Sequence, residues 1–191
     1  MSEFKIFEIG FNKCATRAVY VLIRSAGIAS RHWLRGQLAL DLEQAKEKDE
    51  VPFENYEGIR FFSDIVVADD KRVYEGYKDF KFIHQKFPDA KFIYNLRPKE
   101  DWVKSRIKHG NGFELNVYKT WLGFDSDEEV IDFWRKDWDA HYKSVVDYFT
   151  ENQIMDQLLF IDITAPNFDE ISKFIEAEVN PENWEVVGKT K

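Results

Sequence analysis

The chain has one cysteine, Cys14, among its 191 residues. No internal disulfide can therefore form, and a reducing compartment is expected. It also lacks an excess of positive charge. Twenty-seven Lys and Arg stand against 35 Asp and Glu, a formal net charge of −8. A global basic field for nucleic acid is thus excluded, and any anion site has to be local. No apolar run is long enough to span a bilayer, and Met1–Gly10 carries charges where a signal peptide would be apolar. The expectation is a cytoplasmic protein with no membrane and no nucleic-acid partner. No repeat, low-complexity tract or linker divides the sequence, so residues 1–191 read as a single domain. Hydrophobic residues make up 44% and aromatics 16%, enough to bury a core of that size.

Apolar patterning predicts alternating strands and helices. Phe4–Ile9 is a β-rich first strand, followed by a turn and a helix over Thr16–Ala26 that Gly27 stops. Gln37–Lys48 reads as a helix, Ile59–Phe62 as a short strand ending in Ser63-Asp64, and Val73–Phe87 as a helix closed by Pro88. Lys91–Leu96 is a buried strand and Lys99–His109 a helix that Gly110-Asn111-Gly112 breaks. Ser126 and Glu129 form a capping box for a helix to about Phe149. Gln157–Ile161 is a late strand and Phe168–Val179 a last helix. This order predicts an α/β fold with a mostly parallel central sheet flanked by helices. Ligands of such sheets sit at the carboxyl ends of the strands, so the residues after Ile9, Phe62, Leu96 and Ile161 matter most.

The first of these places is the loop Gly10-Phe-Asn-Lys-Cys-Ala-Thr-Arg17, which leads into a helix N-terminus. Free N–H groups and the helix dipole favour an anion there, with Lys13, Thr16 and Arg17 adding donors. The loop is not a Walker A motif, since Lys13 comes three residues after Gly10 and no Gly-Lys-Ser/Thr ends it. An ordinary strand–helix turn with a solvated lysine fits it equally well. The second place is Arg97, at the end of a buried strand, with Ser105 about two helical turns further on. A guanidinium fork and a hydroxyl suit a phosphate monoester. A surface Arg and a Ser on a polar helix face is the plainer alternative.

Together the two segments resemble the family of sulfotransferases that use 3′-phosphoadenosine 5′-phosphosulfate (PAPS). That family carries a Pro-Lys-x-Gly-Thr-Thr loop after strand one, matched here by Asn12-Lys13-Cys14-Ala15-Thr16-Arg17. It also carries a strand-ending Arg with a Ser eight positions later, as Arg97 and Ser105 are spaced. Phe87-Pro-Asp-Ala-Lys-Phe-Ile93, Trp102-Val-Lys-Ser-Arg106 and Leu158-Leu-Phe-Ile-Asp162 look like the shorter bacterial members, so the resemblance covers nearly the whole chain. Asn12, Ala15 and Arg17 depart from the family loop, and Ala18 stands where many members stack an aromatic on adenine. The basic Gly-rich C-terminal segment of the family is reduced to Gly188-Lys-Thr-Lys191.

The resemblance implies a P-loop-kinase-like sulfotransferase architecture. It also implies a cofactor-binding set of Asn12, Lys13, Cys14, Ala15, Thr16, Arg17, Arg97 and Ser105, with PAPS as donor and 3′-phosphoadenosine 5′-phosphate (PAP) as product. The acceptor is then a small molecule or glycan. Lys13 would stabilise the leaving oxygen without a metal. The family base follows the second strand, which points here to Asp64, with a turn or helix-cap carboxylate as its alternative. His32, in Ser-Arg-His-Trp, could orient the acceptor or serve as base itself. His109 reads as a helix-end histidine, and His84 and His141 as structural. Cys14 reads as a packed small residue. Trp33, Trp102, Phe113, Tyr118 and Trp121 line an acceptor pocket or belong to the core. Two further readings stay open: a nucleotide-binding protein without transfer chemistry, and an ATP- and magnesium-dependent small-molecule kinase.

Overall fold

The structure is a computed structural model that describes residues 4–70 and 72–185. The Gly188–Lys191 segment lies outside the described residues. Five parallel strands form the central sheet: β1 (Ile6–Glu8), β2 (Ser30–His32), β3 (Phe61–Ser63), β6 (Lys91–Leu96) and β7 (Leu158–Asp162). Their order across the sheet is β2-β3-β1-β6-β7. A separate antiparallel hairpin joins β4 (Val66–Ala68) to β5 (Val73–Glu75). The α-helices are α1 (Thr16–Ser25), α2 (Gln37–Lys48), α3 (Phe80–Lys86), α4 (Lys99–Lys108), α5 (Phe113–Leu122), α6 (Asp127–Glu151) and α7 (Phe168–Ile175). The protein is thus α/β with helices on both sheet faces, and no helix among the described residues is long and apolar enough to cross a membrane.

Strand alternation divides the core in two. Ile6, Phe61, Ile93, Leu159 and Ile161 face α1 and α7, meeting Val19, Leu22, Ile23, Ile171 and Ile175. Phe7, Phe62, Phe92, Tyr94 and Leu158 face the other way, toward α2 to α6. Trp102 and Tyr118 are fully buried in this second layer, so they belong to the core. Trp33, Phe113 and Trp121 are 47–52% exposed.

Several expected bounds hold closely. The Gln37–Lys48 helix and the Lys91–Leu96 strand are as predicted, and Ser126 caps α6 by a reciprocal box with Glu129. The continuous helix expected over Val73–Phe87 is not present. Val73–Glu75 is a strand, Gly76–Asp79 a 3₁₀ turn, and only Phe80–Lys86 is α-helical. The Asp69–Arg72 turn explains it, with Asp69 N–H bonded to the Arg72 carbonyl (3.0 Å) and Arg72 N–H to Asp69 Oδ1 (3.0 Å). Gly76 then lies so close to Ile65 that a Cβ would sit 2.9 Å from its Cγ2. The last helix ends at Ile175 because Glu176 turns left-handed at φ 57°. The run Phe113–Leu122, which the sequence reading passed over, is a helix that starts straight after a left-handed turn at Gly110–Gly112.

One buried cation ties the second layer together. Arg106 on α4 donates from Nε to Glu114 Oε1 (2.7 Å) and from Nη2 to Glu75 Oε1 (3.0 Å). Its guanidinium also lies 4.5–5.0 Å from the ring centres of Trp102, Tyr118 and Trp134. Removing one partner of a buried ion pair leaves the other charge stranded. Arg106→Leu should therefore cost about 3–5 kcal/mol of unfolding free energy. The exposed Arg135–Glu100 pair should be dispensable, with Arg135→Ala leaving the urea midpoint unchanged.

Candidate functional site

All five strands are parallel, so their carboxyl ends share one edge. After β1 the chain turns through α1 to the outermost strand on one side, and after β6 it turns through α4–α6 to the other side. The sheet's switch point therefore lies between β1 and β6. The loop 10–16 leaves from one lip and Arg97 from the other.

The loop is anchored by its carbonyls. Trp102 Nε1 donates to the Asn12 carbonyl (3.0 Å), Arg97 Nη1 to that of Lys13 (2.9 Å), and Asn95 Nδ2 to that of Cys14 (2.5 Å). Gly10 makes room for this, since a Cβ there would fall 1.9 Å from Asn95 Oδ1. Lys13 and Ala15 both take left-handed φ, 64° and 60°. With the carbonyls engaged, the N–H groups of Lys13, Ala15, Thr16 and Arg17 have no acceptor among the described residues. No side chain caps α1 and no acid stands in its first turn. Consecutive free amides with an uncapped helix dipole make an anion cradle.

Around the cradle stand the expected side chains. Lys13 Nζ donates to His109 Nδ1 (3.0 Å), which accepts as a neutral imidazole because burial and the Lys13 charge lower its pKa. Asn12 Nδ2 donates to Glu114 Oε1 (2.9 Å), connecting the loop to Arg106. Cys14 is buried and its thiol is pushed up by burial, so it packs and does not react. Thr16 is buried at the start of α1, and Arg17 is exposed.

His32 and Asp64 come together at the ends of β2 and β3. His32 Nδ1 is 2.9 Å from Ser63 Oγ, and its ring stacks on Tyr20 at 5.1 Å. His32 Nε2 and Asp64 Oδ2 are 3.8 Å apart, beyond hydrogen-bond reach. Burial, helped by the Arg17 charge, lowers His32 to about 4. Burial and the Glu114 carboxylate raise Asp64 to about 7, against the pull of Lys13. Trp33, Leu34, Arg35 and Gly36 follow His32 with four successive positive φ values, a strained turn beside the site.

Arg97 and Ser105 are not joined. Arg97 spends one N–H on the loop and lines an open cavity of about 340 Å³ with Leu96, Pro98, Trp138, Tyr142 and Asp162. Ser105 is buried on α4, and its side chain makes no hydrogen bond among the described residues. Ala18 is buried and offers no stacking surface. His141 Nε2 donates to the Ile9 carbonyl (2.7 Å) and His84 meets the Tyr148 hydroxyl (2.7 Å), both structural contacts. No group of three or more metal-ligating side chains occurs among the described residues. Sequence reasoning gave no contact to Asn95, Glu114, Arg106 or Ser63, whose partners include Cys14, Asn12, Glu75 and His32, 31 to 102 positions away.

Two measurements follow from this geometry. Gly10→Ala should lose about 1–3 kcal/mol by driving Asn95 off the loop. Ala15→Gly should gain about 0.5–1 kcal/mol, since the relieved left-handed strain exceeds the added chain entropy. Urea unfolding of both variants tests the pair.

The shifted groups also set opposite pH slopes. Folded Asp64 holds its proton up to about 7, so its contribution is full below the ordinary aspartate range and is lost as pH rises toward 7. Folded His32 releases its proton near 4, so its contribution grows between about 4 and the ordinary histidine value of about 6.5. Asp64→Asn should thus make stability rise more steeply over pH 4–6.5, by up to about 1.4 kcal/mol per pH unit. A slope equal to that of the parent protein would contradict the burial of this acid.

Compared with models of known protein families the chain matches none, and compared with curated protein sequences it likewise matches none.

Proposed function

We propose that the protein is a sulfotransferase of P-loop-kinase-like architecture that moves a sulfuryl group from PAPS to a hydroxyl or amine of a small-molecule or glycan acceptor. The observation that carries this reading is the loop at the switch point. Its carbonyls are tied back, the amides of Lys13, Ala15, Thr16 and Arg17 have no acceptor among the described residues, and Lys13 stands beside them. The central strand position of β1 and the Asn12–Arg17 motif support the same reading.

On this reading the free amides and Lys13 hold the 5′-phosphosulfate. Lys13 leaves His109 and neutralises the charge that grows on the leaving 5′-phosphate oxygen as the S–O bond to it breaks. Asp64 accepts the acceptor's proton while the new O–S bond forms. Its pKa of about 7 makes it the better base, because His32, lowered to about 4, is neutral and weakly basic. His32, held by Ser63 and Tyr20, orients the acceptor. The cavity beside Arg97 has the size of a small-ligand site and gives the nucleoside and its 3′-phosphate a place.

The test is cofactor choice. PAP should raise the melting temperature well above the shift given by 5′-AMP, because only PAP offers Arg97 a 3′-phosphate. Arg97→Ala should remove most of that difference. Lys13→Ala should cut transfer on the order of 100- to 1000-fold while weakening PAP binding far less. Equal shifts from the two nucleotides would overturn the assignment. PAP binding with no transfer across phenols, alcohols, sugars and amines would favour the binding protein. Turnover of ATP that EDTA abolishes would favour the kinase.

A further inference from the structure

Glu8 ends β1, the central strand, and is 1% exposed. Both its carboxyl oxygens are buried, and neither has a hydrogen-bond partner among the described residues. An ionised, unpartnered carboxylate at the centre of a sheet carries a large desolvation penalty, so the group is held as the neutral acid. Burial, and to a lesser degree the Asp64 charge, push its pKa well above the usual carboxylate range. A neutral carboxyl group has an O–H donor, and a buried donor needs an acceptor.

The register shows which residues end the neighbouring strand. Ile6 and Phe7 pair with Phe61 and Phe62, so Glu8 comes beside Ser63. His32 pairs with Ser63 on the far side. Asp64 then breaks the strand at φ 56°, which releases its side chain from the alternation of β3. Asp64 Oδ1 is also buried without a partner, while Oδ2 lies toward His32. Three buried carboxyl oxygens without a hydrogen-bond partner among the described residues thus lie at the ends of two adjacent strands, two on Glu8 of β1 and one on Asp64 just after β3. The surrounding titratable groups are Lys13 and Cys14 on the loop, Arg17 on α1, His32 on β2, Arg97 after β6 and Glu114 on α5.

We propose that Glu8 and Asp64 form a carboxyl–carboxylate pair that holds one proton between them, Glu8 donating its O–H to Asp64 Oδ1 and leaving Oδ2 to face the acceptor. Glu8 is then a positioning residue that acts through Asp64. Its hydrogen bond keeps Asp64 as the ionised partner of a singly protonated pair, and the pair takes up a second proton when the acceptor releases one. That proton returns to solvent through the partly exposed Asp64. The catalytic part of this inference rests on the sulfotransferase reading, but the pair itself does not.

Carboxyl ¹³C NMR titration of the whole protein without nucleotide tests it. In the parent protein both resonances should move in two shared steps, as coupled sites do. In Glu8→Gln, which keeps the shape but offers only a weaker, non-titrating amide donor, Asp64 should titrate in one step, at a higher pH than its first step in the parent protein. In Asp64→Asn, at the more exposed position, Glu8 should stay protonated through neutral pH. An Asp64 curve unchanged by Glu8→Gln, or a Glu8 resonance already ionised at neutral pH in either protein, overturns the pair. If PAP fails to bind while the titrations remain coupled, the sulfotransferase reading falls and the pair stands. If transfer proceeds while the titrations are independent, the pair falls and the sulfotransferase reading stands.

Discussion

The fixing of three successive carbonyls, those of Asn12, Lys13 and Cys14, governs the rest of this site. A peptide unit is planar, so pinning its C=O toward β6 and α4 aims its N–H the opposite way. Asn95, Arg97 and Trp102 therefore create the donor surface of the loop although they need not touch what binds there. The cost appears in the backbone, where Lys13 and Ala15 occupy the left-handed region. Ala15 keeps a conformation that glycine adopts without strain, at φ 60°.

One of the anchors, Trp102, lies against the buried charge on Arg106. Glu114 receives both Arg106 Nε and Asn12 Nδ2 on the same oxygen, so the loop and the α4–α5 layer share one ionic centre. Glu75 continues the network from β5 through Tyr118 and Lys78, and Lys78 passes it to Asp137 on α6. Several helices that have no strand between them are fixed relative to the loop by this chain of contacts. Buried networks of this kind give geometric uniqueness more readily than net stability.

Much of the architecture was legible because local patterns decide it. Lys91–Leu96 is a buried apolar run, Gln37–Lys48 has helical spacing, and Ser126 with Glu129 announces a helix start. The β4–β5 hairpin was not legible, because two three-residue strands leave no periodicity and Val73–Phe87 fits a helical one. Lys13, Arg17 and Asp64 could be brought together from the ends of two predicted strands, but the short strand Ser30–His32 that carries His32 to them has no periodicity to read. The loop's supports were not legible either. Asn95 reaches Cys14 across 81 positions and Asn12 reaches Glu114 across 102, and no local signal marks either partner. Ser105 keeps its expected spacing from Arg97 and is buried on α4.

The environment also inverts the ordinary order of basicity. In water a histidine is a stronger base than an aspartate by more than two pH units. Here burial acts on both with opposite sign, because it disfavours a cation on His32 and an anion on Asp64. Neighbouring charges add to the same split: Arg17 disfavours the imidazolium, and Glu114 disfavours the carboxylate more than Lys13 favours it. The result is a carboxyl group that titrates near neutrality beside an imidazole that stays uncharged. When two groups in one site are driven apart in this way, their roles separate with them. In the proposed transfer reaction the proton acceptor is the acid, and the imidazole, bonded to Ser63 and stacked on Tyr20, is left with geometry as its task.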